Sequence, residues 1–419
     1  MQRQPEACRA ARPRDGTWGS ASGLSFGSPS LAWVVFAGVF WHVRRRMPRV
    51  LFVSKPIAPP FHDGTKCLVR DVAAELRGFS PVVMTTAEAL PLLPAGVTGR
   101  AVYGQSGGFA PGLADNARAA LSLLTGPRDD LWHFVFAPNP RTGQVARALR
   151  AVRSVPIVQT VASPPRHFAA LRRLLFGDQI VVQSRATADG LATAARAEGF
   201  ALPPVSVIPP PVPRLLQPSA ESVQQARAEL GLAPQDRLIL YPGDLEVSSG
   251  AEATRRLVEP LCERMPDAVV VFAYRNKTPA AAARADGLKQ VLQTPRVRIT
   301  DRVTNMHALL AATDIVIFPV DDLWGKVDQP IVLLEALALG VPCIVLDRGP
   351  LRDVEGAMKI GTIDTRAWLE AIAALMAPGA LRERSIADGR AAAASVYASG
   401  VVARAYEAIY LRALERRSG

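Results

Sequence analysis

Val207-Ile208-Pro209-Pro210-Pro211-Val212-Pro213 divides the chain. Proline fixes its own φ and carries no amide hydrogen, so this cluster can continue neither a helix nor a central strand. It reads as a stiff, extended connector. Upstream, short apolar runs recur at Val50-Leu51-Phe52-Val53, Val82-Val83-Met84, His133-Phe134-Val135-Phe136, Pro156-Ile157-Val158 and Gln179-Ile180-Val181-Val182. They are continuous rather than alternating, as strands buried on both faces of a parallel sheet must be. Between them, Val145 to Val152 and Ala169 to Leu175 carry helical spacing. Downstream the same rhythm restarts at Leu238 to Tyr241, Ala268 to Phe272, Val297 to Ile299, Asp314 to Phe318 and Pro342 to Leu346.

Strand–helix alternation on both sides of one break predicts an α/β protein with two Rossmann-like, doubly wound parallel-sheet domains. The expected divisions are a leader over 1–46, an N-terminal acceptor domain over 47–212 and a C-terminal donor-binding domain over 213–392. A closing amphipathic helix within 393–419, apolar at Val402, Tyr406, Ile409 and Tyr410, returns to the first domain. Two such sheets facing one another leave a cleft lined by strand ends and helix N-termini. That geometry suits joining two molecules, one held by each domain.

Composition narrows the partners. The chain has 419 residues, 49% of them apolar and 21% charged, a globular balance. Its net charge is +12, and residues 1–46 hold seven arginines against Glu6 and Asp15. A basic body favours phosphate-bearing ligands or an anionic membrane surface. No basic helix, zinc spacing or aromatic–basic alternation supports nucleic acid. Cys8, Cys67, Cys262 and Cys343 lie far apart without paired spacing, which points to a reducing compartment. The apolar run Leu31 to Trp41 is too short to span a bilayer, and Arg44-Arg45-Arg46 follows it, the reverse of a signal peptide. Initiation at Met47 is the expectation, with a short membrane-surface anchor as the alternative.

The chemistry concentrates in Lys326-Val327-Asp328-Gln329-Pro330-Ile331-Val332-Leu333-Leu334-Glu335-Ala336-Leu337-Ala338-Leu339-Gly340-Val341-Pro342. A polar loop enters an apolar helix carrying one acid, and Gly340 stops it. The helix start offers amides and a positive dipole to phosphate. A carboxylate one turn in suits paired ribose hydroxyls. On spacing alone, an exposed helix acid at Glu335 reads equally well.

This segment resembles the donor motif of retaining glycosyltransferases of the GT-B fold, family 4. There, two glutamates eight positions apart are followed by Leu-Leu-Glu-Ala and Gly-x-Pro. Val207-Ile208-Pro209, Gln179 to Ser184, and Arg296 to Pro319 with Asp314 resemble further family stretches in the expected order, so the resemblance covers nearly all of 47–419. It implies transfer of a sugar from a nucleotide-diphosphate donor to an acceptor hydroxyl, with retention, and with no metal or other cofactor. It also implies a cytoplasmic enzyme of bacterial glycan, glycolipid or cell-envelope polysaccharide synthesis. The partners it implies are a nucleotide-sugar donor and a glycan or lipid-linked acceptor, with peripheral membrane contact and no nucleic acid.

By that resemblance Glu335 holds the donor ribose. The first glutamate falls at Val327, and Asp328, one position on, is the substitute expected to act in catalysis together with His62. Gln329, Ile331, Val332 and Gly243 are expected against the donor. At Tyr241-Pro242-Gly243-Asp244 the family's arginine is replaced by Asp244, and its lysine is missing at Ser249-Gly250. Lys326 and Arg275, then Lys277, are the expected replacement cations. Asp63, Gly64 and Thr65 form the expected acceptor and phosphate loop, with Lys66 beside it. His133 is read as structural. Pro164 to Phe176 reads as a basic amphipathic helix with one buried face, the bilayer-surface reading standing second. Two alternatives remain: a degenerate protein that binds nucleotide or a partner enzyme, and a sugar-nucleotide epimerase of the same fold.

Overall fold

The computed structural model describes residues 46–59, 61, 63–104, 111–165, 167–276 and 278–418. His62, Lys277 and all of the expected leader but Arg46 lie outside the described residues.

Two parallel sheets build residues 47–418. The first holds β1 Arg49–Val53, β2 Ser80–Thr86, β3 Thr98–Tyr103, β4 Leu131–Phe136, β5 Ile157–Val161, β6 Gln179–Val182 and β7 Val205–Val207, in the order β3-β2-β1-β4-β5-β6-β7. The second holds β8 Arg237–Tyr241, β9 Ala268–Ala273, β10 Val297–Thr300, β11 Ile315–Phe318, β12 Cys343–Leu346 and β13 Met358–Ile360, in the order β10-β9-β8-β11-β12-β13. Every strand pairing is parallel. The winding reverses between β1 and β4, and again between β8 and β11, which opens a crevice at the carboxyl ends of the strands. In the second sheet β9 and β11 are apolar throughout because helices cover both faces, and Val269, Val270 and Val271 are wholly buried. The fold is the two-domain Rossmann-like arrangement that the sequence requires.

The chain crosses back between the lobes after the helix Ala380–Ser395. Val212 N donates to Tyr397 O at 2.7 Å, and Ser399 N donates to Val212 O at 3.0 Å. The closing helix Ser399–Ser418 then packs Val402, Tyr406, Ile409 and Tyr410 into the N-terminal core. His133 is fully buried there, its Nδ1 2.8 Å from Tyr410 Oη and its Nε2 2.7 Å from Thr160 Oγ1. Burial pushes its pKa down to about 3, so it is a neutral, structural pin for that helix.

The segment Pro164 to Phe176 differs from the expectation. Among its described residues only Leu171–Leu174 is helical, and Leu171, Leu174, Leu175 and Phe176 are all buried. The run contains a single turn because Ala170 takes a left-handed φ of 55°. Its leucines and Phe176 pack into the core. Among the described residues no helix is long and apolar enough to cross a membrane.

Candidate functional site

The strand ends of both sheets line one cavity of 1690 Å³. Glu335, on the helix Ile331–Leu339, faces into it with a side chain only 16% exposed. The helix is apolar on its remaining faces, which fixes its seat: Leu333, Leu334, Ala336 and Leu337 are buried. Pro330 starts it without a side-chain cap. Gly340 ends it at a φ of 82°, with Gly340 N donating to Leu337 O and Val341 N to Ala336 O. Ile331, Val332, Lys326, Gly243, Arg275, Asp63, Gly64 and Thr65 also line the cavity.

Glu335 has a partner that sequence reasoning missed. His307 Nε2 lies 3.2 Å from Glu335 Oε1, and this hydrogen bond raises the imidazole pKa. Arg70 is a second missed lining residue. It pairs bidentately with Asp71 at 2.5 and 2.9 Å and stacks 4.7 Å over the Phe61 ring, and its charge acts on Glu335. The helix Gly64–Glu75 puts Gly64, Cys67 and Arg70 on one face at i, i+3 and i+6. That spacing was the available signal for Arg70. His307 gave none, since its pairing crosses 28 positions.

Two of the expected residues are elsewhere. Asp328 is wholly buried outside the cavity, where Ser184 Oγ donates to its Oδ2 at 2.6 Å, and burial raises its pKa to about 6. Gln329 is buried beside it and donates from Nε2 to Gln183 O at 2.9 Å. These side chains bond to Ser184 and Gln183 of the other lobe and do not line the cavity, against the expectation for them. The loop turns the preceding residue inward instead: Val327 sits over Gly64, where an added Cβ would lie 3.0 Å from Val327 Cγ1. Lys66 is likewise buried, and Nζ donates to Ala58 O at 3.3 Å rather than lining the cavity.

The electrostatics of the loop after β8 overturn a simpler expectation. Asp244 Oδ1 accepts from the backbone amides of Glu246, Val247 and Ser248 at 3.1, 2.6 and 3.2 Å. Lys326 Nζ pairs with its Oδ2. Burial works to raise the Asp244 carboxyl, but Lys326 and the amides outweigh it and hold the pKa below its ordinary value. Such a ring of amides with a lysine is what an anion would use; here a side chain of the protein fills it. Tyr241 Oη braces the turn by donating to Asp244 O at 2.7 Å, and a Cβ at Gly243 would strike the Tyr241 ring at 2.2 Å. One loop further, Ser249 N and Oγ donate to the Asp321 carboxylate at 2.8 and 2.7 Å. On the other lobe Asp63 caps its helix through Thr65 N at 2.9 Å and pairs with Lys55 at 2.8 Å. Arg275 adds a positive field at Asp63. The Thr65 amide is therefore already engaged. Among the described residues no group of three or more His, Cys, Asp or Glu side chains could hold a metal.

Residues 236–378 match the family described as Glycosyl transferases group 1. That span holds the second sheet, Asp244, His307 and Glu335. The D-inositol 3-phosphate glycosyltransferase of Xylanimonas cellulosilytica is 28% identical over 262 residues, covering 57% of this chain and 58% of that protein. The chain thus spans somewhat over half the length of this curated relative. Among solved structures, Anabaena HepE in complex with UDP-glucose superposes with a TM-score of 0.65 at 16% identity, covering 87% of this chain and 99% of that one. The catalytic domain of starch synthase IV from Arabidopsis thaliana, bound to ADP and acarbose, gives 0.67 at 14% identity, with coverage of 88% and 99%. These likenesses establish the GT-B fold.

Proposed function

We propose that this chain is a glycosyltransferase that moves a sugar from a nucleoside-diphosphate donor in the C-terminal lobe to an acceptor hydroxyl in the N-terminal lobe. The observation that carries the reading is Glu335. It is a half-buried carboxylate one turn into an uncapped helix that faces a cavity shared by both lobes. The group 1 match spans that helix, and two structures of the same fold carry UDP-glucose or ADP. In the reaction the sugar–phosphate bond breaks with its electron pair passing to the diphosphate, and the acceptor oxygen bonds to the sugar while its proton passes to the departing diphosphate. Negative charge grows on the leaving phosphate, where the uncapped helix end, Arg70 and Arg275 supply positive potential. Glu335 accepts from ribose hydroxyls, and His307 orients its other oxygen.

The finer reading is retention of configuration, membership of family 4 and transfer without a metal. It also places the enzyme in bacterial glycan, glycolipid or envelope polysaccharide synthesis in the cytoplasm, at times on the membrane surface. A second reading is favoured by the Asp244–Lys326 pair: the nest for an anion is already filled, as in a protein that binds nucleotide without turning it over. Incubation with UDP-, ADP- and GDP-sugars separates the two. Release of nucleoside diphosphate dependent on Glu335 supports transfer. Binding without release, with every acceptor class supplied, supports the second reading.

A further inference from the structure

The cavity extends well beyond any donor. At 1690 Å³ it exceeds the roughly 300–1,000 Å³ of a site for one small ligand. Its N-terminal portion is a groove between the helices Leu113–Thr125 and Pro140–Arg153, above the ends of β3 and β4. The walls are Leu113, Ala120, Val145 and Leu149, and the floor is Phe134 and Phe136. Leu113 is 87% exposed and Val145 47%, while Phe134 on the floor is buried.

Several polar atoms of this groove are turned to internal tasks. Tyr103 Oη donates to Ser54 O at 2.5 Å. Asn139 Oδ1 caps the second helix, accepting from Thr142 N at 2.9 Å and from Thr142 Oγ1 at 3.0 Å. Asn116 Nδ2 donates to Pro111 O at 3.1 Å. A glycan acceptor needs convergent donors and acceptors for its hydroxyls, and this wall presents carbon. Arg141 stands exposed at the rim.

We propose that this groove binds the hydrocarbon chain of an amphiphilic acceptor, holding the chain while its head reaches toward Glu335 and Lys326. The inference rests on the transferase reading above and narrows its acceptor to lipids bearing a hydroxyl. Single exposed apolar side chains are ordinary on any surface; continuity with the reaction cavity is what sets these apart.

The test uses the full chain and n-hexyl, n-octyl and n-decyl β-glucosides, each below its micelle-forming concentration, with glucose as reference. Burial of a methylene is worth about 0.8 kcal/mol, so each added methylene tightens Kd about fourfold until the groove is full. Leu113→Asp with Val145→Asp places charge on exposed positions and weakens decyl glucoside at least tenfold. Ala120→Phe, which fills the groove, does the same by bulk. UDP affinity stays at the parent value in both, which reports an intact C-terminal lobe. Affinity independent of chain length, or decyl binding retained by both variants, overturns the proposal. A parent that binds alkyl chains but no nucleoside diphosphate keeps the groove and loses the donor reading. A parent that binds UDP without chain-length dependence keeps the donor and loses the groove.

Discussion

Replacing Asp244 by asparagine leaves an oxygen for the amides of Glu246, Val247 and Ser248 but deletes the charge that pairs with Lys326. Lys326 then faces the cavity as an uncompensated cation. A unit charge 4 Å from a phosphate oxygen is worth about 4 kcal/mol at an effective dielectric of about 20. Lys326 and Asp244 are both about one-sixth exposed, so salt and solvent screen part of this. About 1–2 kcal/mol remains, or about 5–30-fold tighter binding of UDP or ADP. The cost falls on stability, about 1 kcal/mol, because charge-assisted bonds to the amides become neutral ones. Calorimetric titration of parent and Asp244→Asn at two salt concentrations measures the gain, which shrinks at high salt. Adding Lys326→Ala to the variant abolishes it. A folded Asp244→Asn protein that binds diphosphate no better than its parent refutes the view that this carboxylate occupies an anion nest.

Tyr410→Phe leaves a nitrogen of buried His133 without its 2.8 Å partner and lowers unfolding stability by about 1–3 kcal/mol in urea, with nucleotide affinity unchanged. Asp328 has a folded pKa of about 6, above its unfolded value, so its stabilising contribution is complete at low pH and falls as pH rises through that value. Asp328→Asn therefore flattens the stability profile between about pH 4 and 6 and does not impair nucleotide binding. His307 is raised by Glu335, so the stability from this pair is present below about pH 6.5 and lost as pH climbs through the folded value. Glu335→Gln moves the imidazole titration, followed by NMR, to lower pH.

The prolines at 209–213 and the continuous apolar runs made both sheets legible, because parallel strands buried on two faces leave an unambiguous pattern. The edge strands β3, β7 and β13 escaped: Thr98–Tyr103, Val205–Val207 and Met358–Ile360 are short or partly exposed and carry no long apolar run. The places of Glu335 and Gly340 were legible because they follow from position on one helix. Asp328 was not, since a one-residue difference decides whether a loop side chain points into the cavity or into the joint between lobes. The pairing of Lys326 with Asp244 spans 82 positions, and no local pattern encodes it. The apolar groove arises from two helices whose sequences each read as ordinary surface helices with a buried stripe.

Titration of UDP-, ADP- and GDP-sugars into the parent and Glu335→Ala reaches the central claim most directly. The account predicts that at least one nucleotide sugar binds the parent at a single site, and that Glu335→Ala weakens it by about 1–3 kcal/mol while the fold is retained. A parent that binds none of them, or a folded Glu335→Ala protein that binds as tightly as the parent, contradicts it.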